Sequence, residues 1–238
     1  MKKGINLFKN YLNDYEVKQM MKIKKIVDLS HPIYHNCPSW PDFPLIKISR
    51  LKILPKDGCN VELINSYNLH TGTHIDAPLH QIEEGKSIDE IPLEELMGEG
   101  VVVDLSYKKE NESVTSFDLD KYSSVLHEKD ILLLFFNWSK YRGFNKKYLY
   151  EYPHLDASGA KWIVKKKVKA VGCDTLSIAS RYDEEVHKIL LGNNILIIEE
   201  LNNLDQLKDK DRVFLCFLPI NFKGCGGAPC RAVAILFE

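Results

Sequence analysis

The sequence predicts a single α/β domain whose mixed β-sheet curls toward a barrel and is flanked by helices. Three observations carry this. From Ile26 onward, short β-branched or apolar runs alternate with helical patterns, which is the signature of strands and helices sharing one core. No repeat, low-complexity tract or Pro/Gly-rich linker divides the 238 residues. Hydrophobic residues make up 45% of the chain, enough to bury a full core and to exclude a disordered or coiled-coil protein.

Taken in order, residues 1–25 read as a helical extension, because Leu7, Phe8, Tyr11, Leu12 and Tyr15 recur at helical spacing. Lys9, Asp14, Glu16 and Lys18 interrupt any apolar run long enough for a secretory signal. The domain proper spans residues 26–238. Its strand candidates are KKIVDLS, LIKISRLKIL, VELINSYNL, VVVDLS, ILLLFFNW, VKAVGCD, ILIIE, RVFLCFL and RAVAILF. Asp156 stands where a helix N-cap would, ahead of Ala157, Ala160, Trp162 and Ile163, and the run VKAVGCD then returns as a buried strand. Asp183 to Leu191 is likewise helical in pattern, Gly192-Asn193-Asn194 stops it, and Ile195 to Glu199 is a strand.

Charge and cysteine content narrow the function classes. Thirty-two basic residues against 33 acidic ones leave a net charge of −1, so no overall field draws nucleic acid or an anionic membrane. No apolar run reaches the roughly 18 residues that a membrane span requires. The six cysteines form no CxxC pair, and free thiols in a reducing cytoplasm are expected. GCGGAPC lacks the Lys-Ser/Thr pair of a phosphate loop and reads as a tight turn into the last strand. Lys165-Lys166-Lys167 ends a helix and complements its dipole. His31 and His154 are expected to make loop hydrogen bonds, and His35 and His127 to lie on the surface.

Chemistry concentrates in HTGTHIDAPLH, where His70, His74, Asp76 and His80 fall within eleven residues. Gly72 and Pro78 argue against a helix, which would in any case scatter these side chains. In an extended chain the four share parity and project to one side where VELINSYNL runs out. Imidazole nitrogens with a carboxylate oxygen suit zinc, manganese or iron(II), and two histidines plus an aspartate leave coordination positions open for water and substrate. The bland reading is a polar turn held by hydrogen bonds. It would gather an unusual number of titratable groups for that purpose.

The same segment resembles the H-x-G-T-H-x-D-x-P-x-H signature of the cyclase-like metal hydrolases, a family that includes bacterial kynurenine formamidase (arylformamidase) and isatin hydrolase. DLSHPI with PSWP resembles the family's first strand and aromatic-bearing loop. YPHLDASGAKWIV, VGCDTLSI, HKILLGNNILIIEELNNLDQL and GCGGAPCRAVAI resemble later family segments, so the likeness runs from about Ile26 to the end. It implies a swivelling β/β/α version of the mixed sheet. It implies further that His70, His74 and Asp76 hold one divalent ion, and that His187 and Glu199 complete a second site shared through Asp76, Glu199 bridging as well. Zinc is the first expectation for the two ions and manganese the second. His80 becomes the general acid/base and Trp40 the substrate-loop aromatic. The usual Pro-Gly-Asp after that aromatic reads Pro41-Asp42-Phe43 here. Without the family, His187 reads as a helix-surface residue and Glu199 as a solvated strand tip.

The implied activity is a metal-dependent amidohydrolase acting on C–N bonds other than peptide bonds. It would cleave an aryl formamide, N-formyl-L-kynurenine to kynurenine and formate, by metal-activated water and as a homodimer or higher oligomer. Hydrolysis of a cyclic amide or lactone such as isatin, and a non-catalytic metal-binding scaffold of the same fold, are the alternatives. Small aromatic amides or lactams are the expected partners, with no nucleic acid and no membrane.

Overall fold

The computed structural model describes residues 22–183, 185–210 and 212–238. The helical reading of Leu7 to Tyr15 lies outside the described residues. The first strand, β1 (Ile23–Asp28), is followed by β2 (Lys47–Lys52), the single turn α1 (Leu54–Asp57) and β3 (Val61–Ser66). Then come β4 (His74–Asp76), β5 (Met97–Asp104), β6 (Ser113–Val114), α2 (Ser116–Asp120), β7 (Ile131–Phe135), α3 (Lys146–Tyr150) and β8 (His154–Leu155). The last part runs α4 (Ala157–Lys166), β9 (Ala170–Cys173), α5 (Glu185–Gly192), β10 (Leu196–Glu199), β11 (Val213–Pro219) and β12 (Gly227–Phe237).

Each of the nine strand candidates overlaps an observed strand. The two expected helices form as α4 and α5, with the Asp156 side chain accepting from Gly159 N (2.8 Å) as an N-cap should. One local expectation needs correction. VELINSYNL does not run on into the histidine segment; β3 pairs only with β2, in a separate exposed hairpin. The chain turns through Gly72 at φ 73°, a left-handed conformation that glycine adopts without a Cβ clash, and restarts as the three-residue strand β4. Only His74 and Asp76 are therefore gathered by strand parity. His70 sits in the preceding turn, and His80 ends a 3-10 turn that Pro78 opens.

The main sheet runs β1-β12-β11-β5-β7-β9-β10-β4, and β4 pairs again with β12, so seven strands close a ring with β1 added outside it. β5, β7, β9 and β10 are parallel, as crossover connections through helices require, and the other pairings are antiparallel. Closure is the work of β12. Its first residues, Gly227 to Pro229, pair with β4, and the rest pair with β11 and β1.

Alternation along the strands sorts two cores. Val102, Ile131, Leu133, Phe135, Leu196, Ile198, Ile75 and Leu215 fill the ring interior, while Val101, Val103, Leu132, Leu134, Val171 and Ile197 face the helices. Trp162 and Ile163 of α4, with Val186, Leu190 and Leu191 of α5, cover that outer face. Burying each such aliphatic side chain contributes about 1.5–3 kcal/mol.

Small residues mark where the interior is narrow. A Cβ on Gly172 would come within 2.8 Å of Leu133 Cδ2 and 2.8 Å of Leu201 Cδ1. Gly172→Ala should therefore destabilise the fold by about 1–3 kcal/mol in equilibrium denaturation, as overpacked cores do. An unchanged midpoint would mean that the ring has room to spare.

Candidate metal centre

The register between β4 and β10 builds the site. His74 lies opposite Glu199 and Asp76 opposite Ile197, while Ile75 and Ile198 point into the ring. His74, Asp76 and Glu199 thus share the outer face, with exposures of 2%, 1% and 6%. Helix α5 crosses this face. His187 stands three and four residues before the buried Leu190 and Leu191, so the apolar stripe of α5 carries the imidazole down onto the sheet. Both bland readings, a helix-surface His187 and a solvated Glu199, are overturned: neither side chain is exposed, and the sheet register with the helix stripe is the reason.

Five side chains from separate elements converge on Asp76. His70 Nδ1 lies 2.7 Å from Asp76 Oδ1, and His74 Nε2 lies 3.4 Å from the same oxygen. His187 Nε2 is 3.8 Å from Asp76 Oδ2 and 3.2 Å from Glu199 Oε1, and His74 Nε2 is 3.6 Å from Glu199 Oε2. The ring of His80 lies 4.2 Å from that of His70 and 5.9 Å from that of His187, centroid to centroid. Among the described residues, two triads bring one donor atom each to within 4.8 Å of one another: His70, Asp76 and His80, and His74, Asp76 and Glu199. Asp76 belongs to both.

The electrostatics are those of buried anions seeking cations. Burial alone would raise the Asp76 carboxyl, but His80, His70 and His74 hold it well below the usual carboxylate range. Burial would likewise raise Glu199, and the hydrogen bond from His187 reverses that. Burial would lower His74, yet Asp76 and then Glu199 hold it up to about 9. His187 is raised in the same way, by Glu199 against its burial. His80 differs: burial lowers it, and Asp76 only partly offsets this. Imidazole and carboxylate donors packed around one dry point, with both buried carboxylates held ionised, fit a divalent cation of the zinc or manganese kind, which would take the place of the imidazole protons.

Surrounding groups fix the donors. His74 Nδ1 donates to the Gly72 carbonyl (2.7 Å), which turns Nε2 toward the carboxylates. Glu199 Oε1 accepts from Ser177 Oγ (2.9 Å) and Ile178 N (2.8 Å). The centre opens into a cavity of about 440 Å³ whose apolar wall includes Trp40, Phe43 and Leu176. Trp40 carries the Arg181 guanidinium 5.7 Å from its ring, and Asp42, in the altered loop after the tryptophan, pairs with Arg181 Nη2 at 2.8 Å.

Most of the other histidines and all six cysteines behave as expected. His35 and His127 are exposed and the cysteines are free, and His154, at the start of β8, bonds to Tyr152 O and Ser113 Oγ. His31 departs from the expectation, because only its backbone N–H is bonded, to Thr73 Oγ1, while its ring Nε2 is buried without a partner among the described residues. The glycine segment GCGGAPC does more than turn. A Cβ on Gly226 would sit 2.9 Å from the His80 backbone, and one on Gly227 would sit 2.5 Å from His70 Cε1 and 2.8 Å from the Ile75 carbonyl. The sequence signal was the doublet itself, since consecutive glycines at the start of a strand mark close approach by another backbone or ring. Gly227→Ala should push His70 off its position and weaken divalent-metal binding by about 10-fold or more, measured by competition with a chelator. Wild-type affinity in a folded variant would show that His70 has slack.

Comparison with known proteins places this geometry. The Cyclase family model matches residues 27–180. Kynurenine formamidase of Bacillus thuringiensis (strain Al Hakam) is 29% identical over 216 residues, which cover 90% of this chain and 98% of that protein. A solved structure described as a potential metal-dependent hydrolase with cyclase activity is 30% identical and superposes with a TM-score of 0.72, over 90% of this chain and 98% of its own. Isatin hydrolase A from Labrenzia aggregata, bound to benzyl benzoate, is 26% identical with a TM-score of 0.80, over 90% and 94% of the two chains. With a model match over more than half its length, and the motif histidines gathered at one buried point, the chain belongs to the Cyclase family.

Proposed function

We propose that this protein is a metal-dependent hydrolase of aryl amides, with an N-formyl arylamine such as N-formyl-L-kynurenine as substrate. The observation that carries it is the convergence of His70, His74, Asp76, His187 and Glu199 at the floor of an aromatic-lined cavity, with His80 beside them. The near full-length likeness to kynurenine formamidase supports the formamide, as a property of that relative.

The five donors would hold two divalent cations, zinc or manganese. Bound there, such cations lower the pKa of water toward neutrality and polarise a carbonyl. Everything else falls to the chain. Trp40, Phe43 and Leu176 offer an apolar wall on which an aryl ring can stack. His80, whose burial favours the neutral imidazole, can take a proton from the attacking water and return it to the departing nitrogen, without which the aryl C–N bond breaks slowly. A second reading, ring opening of a lactam such as isatin, draws on the likeness to isatin hydrolase A, because water attack on a cyclic amide needs the same parts.

Zinc- or manganese-loaded protein assayed against N-formyl-L-kynurenine and isatin decides between the two, and release of formate is the expected result. Turnover of isatin alone would favour the second reading, and turnover of neither would remove both. At saturating metal, His80→Ala should lose about 10²–10⁴-fold in kcat. Retained activity would remove His80 from the proton transfer.

A further inference from the structure

Directly after Glu199 comes a second carboxylate, Glu200, only 1% exposed and with its backbone at φ 53°. That is left-handed territory, where a residue with a Cβ is strained and persists only if its surroundings hold it there. The surroundings are specific. Glu200 Oε1 accepts from Gly72 N (3.0 Å), Oε2 accepts from Arg142 Nε (3.0 Å) and from the Tyr148 hydroxyl (2.8 Å), and the Glu200 carbonyl accepts from Thr73 Oγ1 (2.6 Å). Arg142 is held in turn through Nη2 by the Pro38 carbonyl (3.3 Å).

Two of these bonds grip the two residues that lie between His70-Thr71 and His74. Gly72 is also the residue whose carbonyl accepts from His74 Nδ1 at 2.7 Å. A carbonyl only accepts, so His74 must carry a proton on Nδ1, and Nε2 is the atom presented to Asp76 and Glu199. The orientation of His74 therefore depends on where the Gly72-Thr73 backbone is held. Glu200 holds it from both sides, by its side chain and by its carbonyl.

We propose that Glu200 is a positioning residue: it clamps Gly72 and Thr73 so that the Gly72 carbonyl orients His74 with Nε2 toward the metal centre. This rests on the metal-centre reading above, and it predicts an effect on metal affinity rather than on the fold alone. Buried groups that orient a ligating histidine typically change metal affinity 10- to 100-fold when removed.

The test compares wild type, Glu200→Gly and Glu200→Gln in two measurements: zinc affinity by competition with a chromophoric chelator, and the His74 Nδ1 proton in ¹H–¹⁵N spectra. Glu200→Gly relieves the left-handed backbone but removes the side-chain clamp. It should weaken zinc binding by about 10-fold or more and lose the Nδ1 proton signal to solvent exchange. A folded Glu200→Gly protein with wild-type affinity and an intact Nδ1 signal overturns the proposal. Should that variant fail to fold, Glu200→Gln decides. One amide oxygen cannot serve both Gly72 N–H and Arg142, so affinity should again fall by about 10-fold, and unchanged affinity overturns the proposal. If wild type itself binds no zinc, the metal-centre reading fails. The Nδ1 proton of the metal-free protein still reports whether Glu200 orients His74.

Discussion

Asp76 sets the terms for the rest of the molecule. A carboxylate with 1% exposure cannot stay ionised unless positive charge is brought to it, and a second buried carboxylate, Glu199, sharpens the demand. Four imidazoles from a turn, a strand, a 3-10 turn and a helix meet it, and two of them are held toward their charged form. Such an arrangement is costly for a structural network and natural for a cation site. The strain at Glu200, the bare backbone of Gly226 and Gly227, and the two-sided pairing of β4 can be read as the means by which the fold keeps those groups together.

The fold supplies this through strand parity. A ring of seven strands needs one face of each for its interior, and that leaves the other face of β4 and β10 for chemistry. Ile75 and Ile198 anchor the two strands inward, so His74, Asp76 and Glu199 are fixed outward at strand precision rather than loop precision. Helix α5 closes the site from above with the same apolar stripe that packs it on the sheet. Stability and ligand placement are in this way served by the same residues.

Much of this was legible in the sequence, and the parts that were not share a cause. The α/β class, the nine strand segments and the helices at Ala157 and Glu185 follow from local periodicity, which the structure respects. The motif histidines and Asp76 were visible because they lie close together in the chain. His187 and Glu199 became candidates only by resemblance, although His187 shares spacing with Leu190 and Leu191, a local sign of a buried face. The parity argument failed for His70 and His80 because a left-handed glycine and a proline-led turn interrupt the strand. Glu200, Arg142 and Tyr148 were missed because their link is purely tertiary: Glu200 lies 58 residues from one partner and 52 from the other.

β12 carries a consequence of its own. It is the last barrel strand to be synthesised, yet it supplies one wall of β4 and the bare stretch against which the His70 ring rests. A nascent chain that has emerged only as far as β11 already contains all six converging side chains but has no closed ring to hold them. The geometry that gathers them is therefore complete only once β12 has been added to the sheet and Gly227 lies against the His70 ring.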